Sequence, residues 1–120
     1  MVKLSTPRPV KAVITKPARA NWTSYLNNSG RPKLVFICCT IARGTADTYS
    51  RAQIRVSTTD PPPPGDIICD VGYYTSGPIQ NGVFFLAAAV PNNYYYEMTD
   101  NIQAGSGGSV ALVYWVEIEL

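Results

Sequence analysis

The stretch NWTSYLNNSGRPKLVFICCT, residues 21 to 40, places a turn sequence directly in front of an apolar run. Asn, Ser, Gly and Pro in N-N-S-G-R-P are residue types that favour a tight turn. In an extended strand, Val35 and Ile37 of the run fall on one side, and Leu34 and Phe36 fall on the other. An antiparallel strand of a small protein usually buries only one face. The second apolar face therefore predicts contact with another copy of the chain.

The rest of the sequence predicts a single all-β domain. The chain has 120 residues, of which 15% are charged, and ten prolines and nine glycines interrupt it every few residues. Roughly seven or eight short strand-like runs, separated by turn residues, are typical of a sandwich. We therefore predict a compact antiparallel β-sandwich, jelly-roll-like in type, with an extended arm at its N-terminus.

A second run, VFFLAAAVP at residues 83 to 91, is also apolar on both faces. Two such strands carry more apolar surface than two layers of this size can cover by themselves. A homo-oligomer would bury the surplus, and we expect a trimer. The residues predicted to form its interface are Leu34, Phe36, Phe84, Leu86 and Trp115.

The first twenty residues, MVKLSTPRPVKAVITKPARA, differ in charge from the rest of the chain. They carry five basic side chains and no acid, whereas residues 21 to 120 carry five basic and eight acidic side chains. Their prolines disfavour a helix. We therefore predict two parts, an extended arm of residues 1 to 20 and a sandwich knob of residues 21 to 120.

The arm has a pattern that suits docking onto another protein. Val10, Ala12 and Ile14 fall on one side of an extended chain, which would let the arm add a strand to a neighbour. Its basic groups favour an acidic protein surface. The alternative is a solvated tail. The predicted docking residues are Arg8, Val10, Lys11, Ala12, Ile14, Lys16 and Arg19.

Nucleic acid and membrane are not expected as partners. The body is acidic, and its tyrosines are not interleaved with Lys or Arg as they are in stacking platforms for nucleic acid. No apolar run reaches the length of a membrane-spanning helix. We therefore expect neither nucleic-acid binding nor membrane insertion.

The three cysteines, Cys38, Cys39 and Cys69, form no metal-binding pattern. The chain has no C-x-x-C and no histidine. Adjacent cysteines on a strand point to opposite faces. We expect free buried thiols, as in a protein assembled in a reducing cytoplasm. A disulfide from Cys69 to one of the pair is the alternative.

No residues suggest catalysis or a cofactor. The absence of histidine removes the usual general base and the common triads. Glu117 and Glu119 share one strand face, and we interpret them as a solvated strand edge. The glycine-rich GSGG loop lacks the following lysine and helix that a phosphate-binding loop requires. We predict a protein that is not an enzyme and that has no catalytic residues, cofactor or metal.

The tyrosine-rich segments have two interpretations. Amphipathic tyrosine rings stack on sugars or anchor protein interfaces, but alternate residues of a strand must also face inward and pack. A glycan-binding role and a packing role therefore both stay open. The residues concerned are Tyr73, Tyr74, Tyr94, Tyr95 and Tyr96.

Three motifs, taken in order, resemble a β-sandwich knob of tailed bacteriophages. The first is a Y-x-N-x-S-G-R-P segment from Tyr25 to Pro32 that opens a long apolar strand. The second is the V-P step at Val90 and Pro91, followed by Tyr95. The third is the W-x-E of Trp115 and Glu117. The resemblance covers about residues 21 to 120.

The resemblance implies a trimeric virion protein without catalytic residues. Knobs of tail fibres follow a long stalk, whereas here only the twenty-residue arm precedes the knob. We therefore expect a capsid decoration or cement-type protein, assembled in the host bacterial cytoplasm and located in the virion, which docks on other virion proteins, capsid or tail, through its arm. The alternative is a tail-fibre tip or receptor-binding module that contacts host-surface glycans through the tyrosine-rich loops.

Overall fold

Eight β-strands form in residues 12 to 120, the part of the chain that the computed structural model describes. They are β1 (Val13–Thr15), β2 (Tyr25–Leu26), β3 (Lys33–Arg43), β4 (Ser50–Ser57), β5 (Ile67–Tyr73), β6 (Gln80–Val90), β7 (Tyr95–Ile102) and β8 (Ser109–Glu119). These residues contain no helix, and so none that could cross a membrane. The predicted all-β class is confirmed.

The strands form two four-stranded antiparallel sheets that face each other across one core. The first sheet has the order β1-β8-β3-β6, and the second has the order β2-β7-β4-β5. β1 pairs with β8, β2 with β7, β3 with β6 and β4 with β5. The chain therefore forms one long antiparallel hairpin, with its tip at the β4–β5 connection, that is folded over into two layers. This is the strand order of a jelly roll, and the predicted jelly-roll-like sandwich is confirmed.

The first strand of the jelly roll comes from the segment predicted as a free arm. β1 pairs with β8 of the same chain, with Ile14 opposite Ile118. Arg19, a few residues later, contacts Glu117 of β8. The sandwich therefore begins at Val13, rather than at Asn21 as the sequence suggested. A pattern that allows strand addition to a neighbour allows it equally within the chain.

The core lies between the sheets and is built by alternate residues of the long strands. Val35, Ile37 and Ile41 of β3 are buried, and they face Ala52 and Ile54 of β4 in the other sheet. Of the two apolar faces expected for β3, the one that carries Val35 and Ile37 is therefore the inward face. Its inward cysteine, Cys39, is also buried, and all three cysteines are free thiols.

A bulge in β8 changes which residues face the core. Cys38 is opposite Tyr114, but the next residue, Cys39, is opposite Leu112, so Val113 is left without a partner. Before the bulge, even-numbered residues such as Leu112 pack against the core, and after it Trp115 and Glu117 point inward. A single alternation along the whole strand cannot give this arrangement, because the extra residue reverses the faces.

Neighbouring residues of β6 test this assignment of faces. Leu86 is 1% exposed and Phe85 is 65% exposed. We expect Leu86→Ala to lower the free energy of unfolding by about 2–5 kcal/mol, because it opens a cavity in the core. Phe85→Ala should change it by no more than about 1 kcal/mol in the monomeric protein. Urea denaturation of both variants, at a protein concentration at which size exclusion shows a monomer, measures the difference, and equal losses there would contradict the assignment.

Candidate functional site

The outward side of the first sheet carries no charged residue along its three long strands. We call this surface the outer apolar face. It consists of Leu34, Phe36, Cys38, Thr40, Val83, Phe85, Ala87, Ala89, Ala111, Val113, Tyr114, Val116 and Ile118. A sheet face in contact with water normally alternates to polar side chains. This surface therefore has the chemistry of an interface, not of a solvated exterior.

Large side chains on this face lie in the open. Phe85 is 65% exposed, Val83 is 59% exposed and Tyr114 is 45% exposed. Between them runs an apolar groove of about 510 Å³, lined in part by Phe36 and Val116. The groove follows from the alternation of large and small residues, since Phe36 has the small Ala87 as its neighbour on β6. Ridges and hollows of this kind allow a second apolar surface to interdigitate.

The predicted interface residues divide between the two sides of the sheet. Leu34 and Phe36 lie on the outer apolar face, as expected. Leu86 and Trp115 are buried in the core, and Phe84 packs against it. These three residues face the other sheet and are not available to a second copy. The prediction was wrong there because the register of β6 on β3 and the bulge in β8 set which side each residue takes.

The tyrosines proposed for glycan binding do not form one platform. Tyr73 lies opposite one end of β4 and Tyr95 lies opposite the other end, a separation of about 23 Å along the strand direction. Tyr96 is fully buried, and Tyr73 and Tyr94 pack against the core. Only Tyr74 is largely exposed, at 56%. Packing is therefore the role that the structure gives to most of them.

The predicted docking residues of the arm fall in two groups. Arg8, Val10 and Lys11 lie outside the described residues. Ala12, Ile14 and Lys16 are exposed, and Arg19 is half-buried against its own chain. In the structure, Arg19 is hydrogen-bonded to Glu117 of its own chain, whereas the sequence suggested that it meets an acidic group of a partner protein.

Glu117 is the centre of a buried polar cluster that joins both sheets. The side chain is 1% exposed. Its Oε1 accepts from Lys33 Nζ at 3.1 Å, and its Oε2 accepts from Arg19 Nε at 3.2 Å. Tyr96 Oη donates to Oε2 at 2.7 Å, and Trp115 Nε1 donates to the same oxygen at 2.9 Å. The predicted solvated edge is wrong for Glu117, because the bulge in β8 turns this residue inward.

Hydrogen bonding keeps Glu117 ionised in this environment. Burial alone would raise the pKa of the carboxyl, but the hydrogen bonds from Arg19, Tyr96, Lys33 and Trp115 outweigh burial and hold the pKa below its usual value. Burial and the adjacent carboxylate raise the pKa of Tyr96, so this phenol stays a neutral donor. The cluster is therefore a fixed arrangement of donors around one negative charge.

The three motifs that carry the resemblance meet at this end of the sandwich. Asn27, which is fully buried, donates to the carbonyl of Val90 at 3.0 Å, and its Oδ1 accepts from Ser29 Oγ at 2.7 Å. The turn needs a glycine next, because Gly30 has φ +83°. Tyr25 then packs edge-on against Trp115, with 6.0 Å between ring centroids. The motif residues thus brace the fold, which is a structural role and not a chemical one.

Arg43 braces the opposite end and was not identified from the sequence. This arginine is 3% exposed, and its guanidinium donates to the carbonyls of Thr48, Tyr74, Ser76 and Pro78. Five donors in a fixed fork suit a residue that ties several loops together. An arginine at the end of an apolar strand gives no sign of this role in sequence, because all four acceptors are backbone groups.

The described residues show no arrangement typical of a catalytic or metal site. They contain no group of three or more His, Cys, Asp or Glu side chains that could hold a metal ion. Burial, and to a lesser degree Cys38, raises the pKa of Cys39 to about 11, so this thiol is not a ready nucleophile at neutral pH. No protein-family model, no curated protein and no solved structure matches this chain.

Removing the charge of Glu117 tests the cluster. We expect Glu117→Gln to lower the free energy of unfolding by about 3–5 kcal/mol, because Lys33 and Arg19 lose the charge that compensates them. Glu119→Gln is the matched control on the same strand. Thermal and urea denaturation provide the measurement, and equal stability of the two variants would refute the role of Glu117.

The lowered pKa of Glu117 also predicts a pH dependence. A carboxyl with a lower pKa in the folded state stabilises the fold above its unfolded pKa, and this stabilisation is lost as the pH falls through the folded pKa. The unfolding free energy should therefore decrease in the acid range for the native chain. Glu117→Gln should flatten that decrease, measured by urea denaturation at a series of acid pH values. An unchanged slope would contradict the prediction.

Proposed function

We propose that this protein is a structural subunit that assembles with copies of itself through the outer apolar face. The observation that carries the proposal is the absence of any charged residue on that face of β3, β6 and β8. Apolar faces of this type mark contact surfaces. A second copy is the best-matched occupant, because it offers an equally apolar and equally ridged surface.

The size of the face agrees with a specific contact. Three strands of 11 residues each cover about 36 Å by 14 Å, or about 500 Å² in projection. Two such surfaces, with side chains that rise from the sheet, bury more than about 1,000 Å² in total. This reaches the range of stable protein–protein interfaces.

The edge of the first sheet supports the same proposal. β6 is the edge strand, and its sequence from Gln80 to Val90 contains no charged residue and no proline. Monomeric proteins usually protect a long edge strand with charges, prolines or bulges. Copies that pack over the outer apolar face would cover this edge as well.

Within this role, we place the protein in a bacteriophage virion, as a capsid decoration or cement-type subunit. Support comes from the resemblance of the three motifs to phage knobs. The jelly roll also recurs in viral capsid proteins, which is an analogy of fold only. The basic residues before Val13 would then attach the oligomeric knob to another virion protein, capsid or tail.

A tail-fibre tip that binds host glycans is the second candidate. It is favoured by one observation, the two aromatic side chains Trp22 and Tyr74, which are 54% and 56% exposed on the second sheet's side of the molecule. In both candidates the chain assembles through the outer apolar face. They differ in the partner that the rest of the surface contacts, which is a virion protein in the first and a host glycan in the second.

A charge on the outer apolar face tests the assembly. We expect the native chain to run as an oligomer, and Phe85→Asp to convert it to a folded monomer, because the aspartate would have to be buried without a partner. Ile79→Asp is the matched control, since Ile79 is 66% exposed and precedes β6, which begins at Gln80. Light scattering after size exclusion measures the mass. A monomeric native chain would refute the proposal.

Deleting residues 2 to 11 tests the attachment. This deletion spares β1 and Arg19, so the sandwich keeps its first strand and its cluster at Glu117. We expect the shortened protein to stay folded but to lose its association with purified phage particles, as measured by immunogold labelling. If the shortened protein labels the particles at full occupancy, docking through the arm is refuted. If the native protein labels only the tail, the second candidate is favoured.

A further inference from the structure

The outward side of the second sheet has the opposite chemistry to the outer apolar face. Its middle carries a polar row, which we define as Arg51, Gln53, Arg55, Asp70, Glu97 and Thr99. These residues come from the adjacent strands β4, β5 and β7 and lie next to each other by register. Gln53, Glu97 and Thr99 are buried under their neighbours, so the sheet presents its two arginines and Asp70 to the outside.

Hydrogen bonds hold the row in a fixed arrangement. Arg51 Nη1 lies 3.1 Å from Asp70 Oδ2, and Gln53 Nε2 donates to the same oxygen at 3.4 Å. Across the next strand, Arg55 is directly opposite Glu97. Burial raises the pKa of Glu97, and Arg55 lowers it in part. The row therefore offers donors and acceptors with a balanced formal charge.

Two exposed aromatic rings lie at the two ends of the row. The Arg55 Cζ atom is 5.7 Å from the centroid of the Trp22 ring, and the Arg51 Cζ atom is 5.1 Å from the centroid of the Tyr74 ring. The arginines are four residues apart on β4, which is about 13 Å. Each ring is more than half exposed. The face thus presents an aromatic ring beside each arginine, with the polar groups of the row between them.

The row also contains unused hydrogen-bonding capacity. Five buried side-chain nitrogen or oxygen atoms of the described residues lack a hydrogen-bond partner within the chain, and three of them are Arg51 Nε, Arg55 Nε and Asp70 Oδ1. Buried polar atoms without a partner are uncommon. Three of the five lie in this row, so its polar groups are not fully satisfied by hydrogen bonds within the chain.

Trp22 shows a further sign of a functional position. Its φ is +59°, in the left-handed region, which is unfavourable for a large side chain. The backbone N–H of Trp22 donates to the backbone carbonyl of Met98 on β7, which fixes the residue beside the second sheet. Backbone strain of this kind concentrates at binding sites. Here the strained backbone holds an exposed indole over an arginine.

We propose that this face binds a short neutral oligosaccharide. Trp22 and Tyr74 pack against the apolar faces of two sugar rings, as aromatic side chains with one polar edge do at wet interfaces. Arg51, Arg55 and Asp70 meet the hydroxyl groups between them. Arg51 is paired with Asp70, and Arg55 lies opposite Glu97, so both arginines have a carboxylate of the chain beside them, which argues against an anionic ligand and therefore against nucleic acid.

This inference rests on the second candidate function, for which it names the binding residues and the class of ligand, and it uses a different sheet from the proposed assembly. In an oligomer formed through the outer apolar face, the second sheet of every copy stays free. The copies would then present several equivalent sites, and their combined avidity would exceed the affinity of one site.

A printed array of neutral and acidic oligosaccharides, followed by calorimetric titration with the strongest binder, tests the proposal. We expect the native chain to bind a neutral member. Trp22→Gly should weaken binding at least tenfold while leaving the fold intact, because glycine accepts a positive φ. Tyr74→Ala should also weaken it, and Ile79→Ala, an exposed residue outside this face, should not. Native binding to acidic members alone, or to none, would overturn the proposal.

Two further measurements separate this proposal from the oligomer. Phe85→Asp leaves the polar row intact, so its affinity per site in titration should match that of the native chain whatever its mass. The chain has two tryptophans, of which Trp115 is 4% exposed, so ligand should protect only Trp22 from acrylamide quenching. Unchanged affinity of Trp22→Gly, or quenching of Trp22 that the ligand does not alter, would refute the site.

Discussion

The buried carboxylate of Glu117 is the interaction on which this sandwich depends. It receives hydrogen bonds from β3, β7, β8 and the segment after β1, and so connects both sheets and the first strand at one end. A buried ionic cluster is no more stabilising than apolar packing of the same volume. The cluster instead makes its members depend on one another, because each buried charge or polar group keeps its partner only while the others are in place. The first strand, the bulge in β8 and the turn before β3 are therefore fixed together.

The two sheets have different outward chemistry, and this difference organises the proposed roles. The first sheet shows apolar strands to the outside, with Phe85 and Tyr114 exposed. The second shows charged and amide side chains, with Arg51 and Asp70 paired at 3.1 Å. A jelly roll separates its two outer faces by the thickness of two sheets, so a surface for assembly and a surface for a ligand do not compete. Such a division suits a subunit that must be held by its copies and also face outward.

Much of the fold followed from local patterns. The alternation in β3 placed Val35 and Ile37 on one apolar face, and their burial shows that this face lies in the core. It also placed Leu34 and Phe36 on a second apolar face. The same reasoning failed for Phe84, Leu86 and Trp115, because one bulge and the register between strands decide which side a residue takes. If the position of the bulge or the register is misjudged by one residue, core residues are assigned to the surface and surface residues to the core.

By itself, the sequence determined the class of fold, the strands that form the core and the excess of apolar surface on the first sheet, because these depend on alternation and composition along the chain. Only the tertiary structure decided that residues 13 to 15 are the first strand of the sandwich and that Glu117 is buried. It alone brought Trp22 to Arg55 and Tyr74 to Arg51. These pairs join residues from different strands and loops, and no periodicity of the chain encodes which distant segments meet.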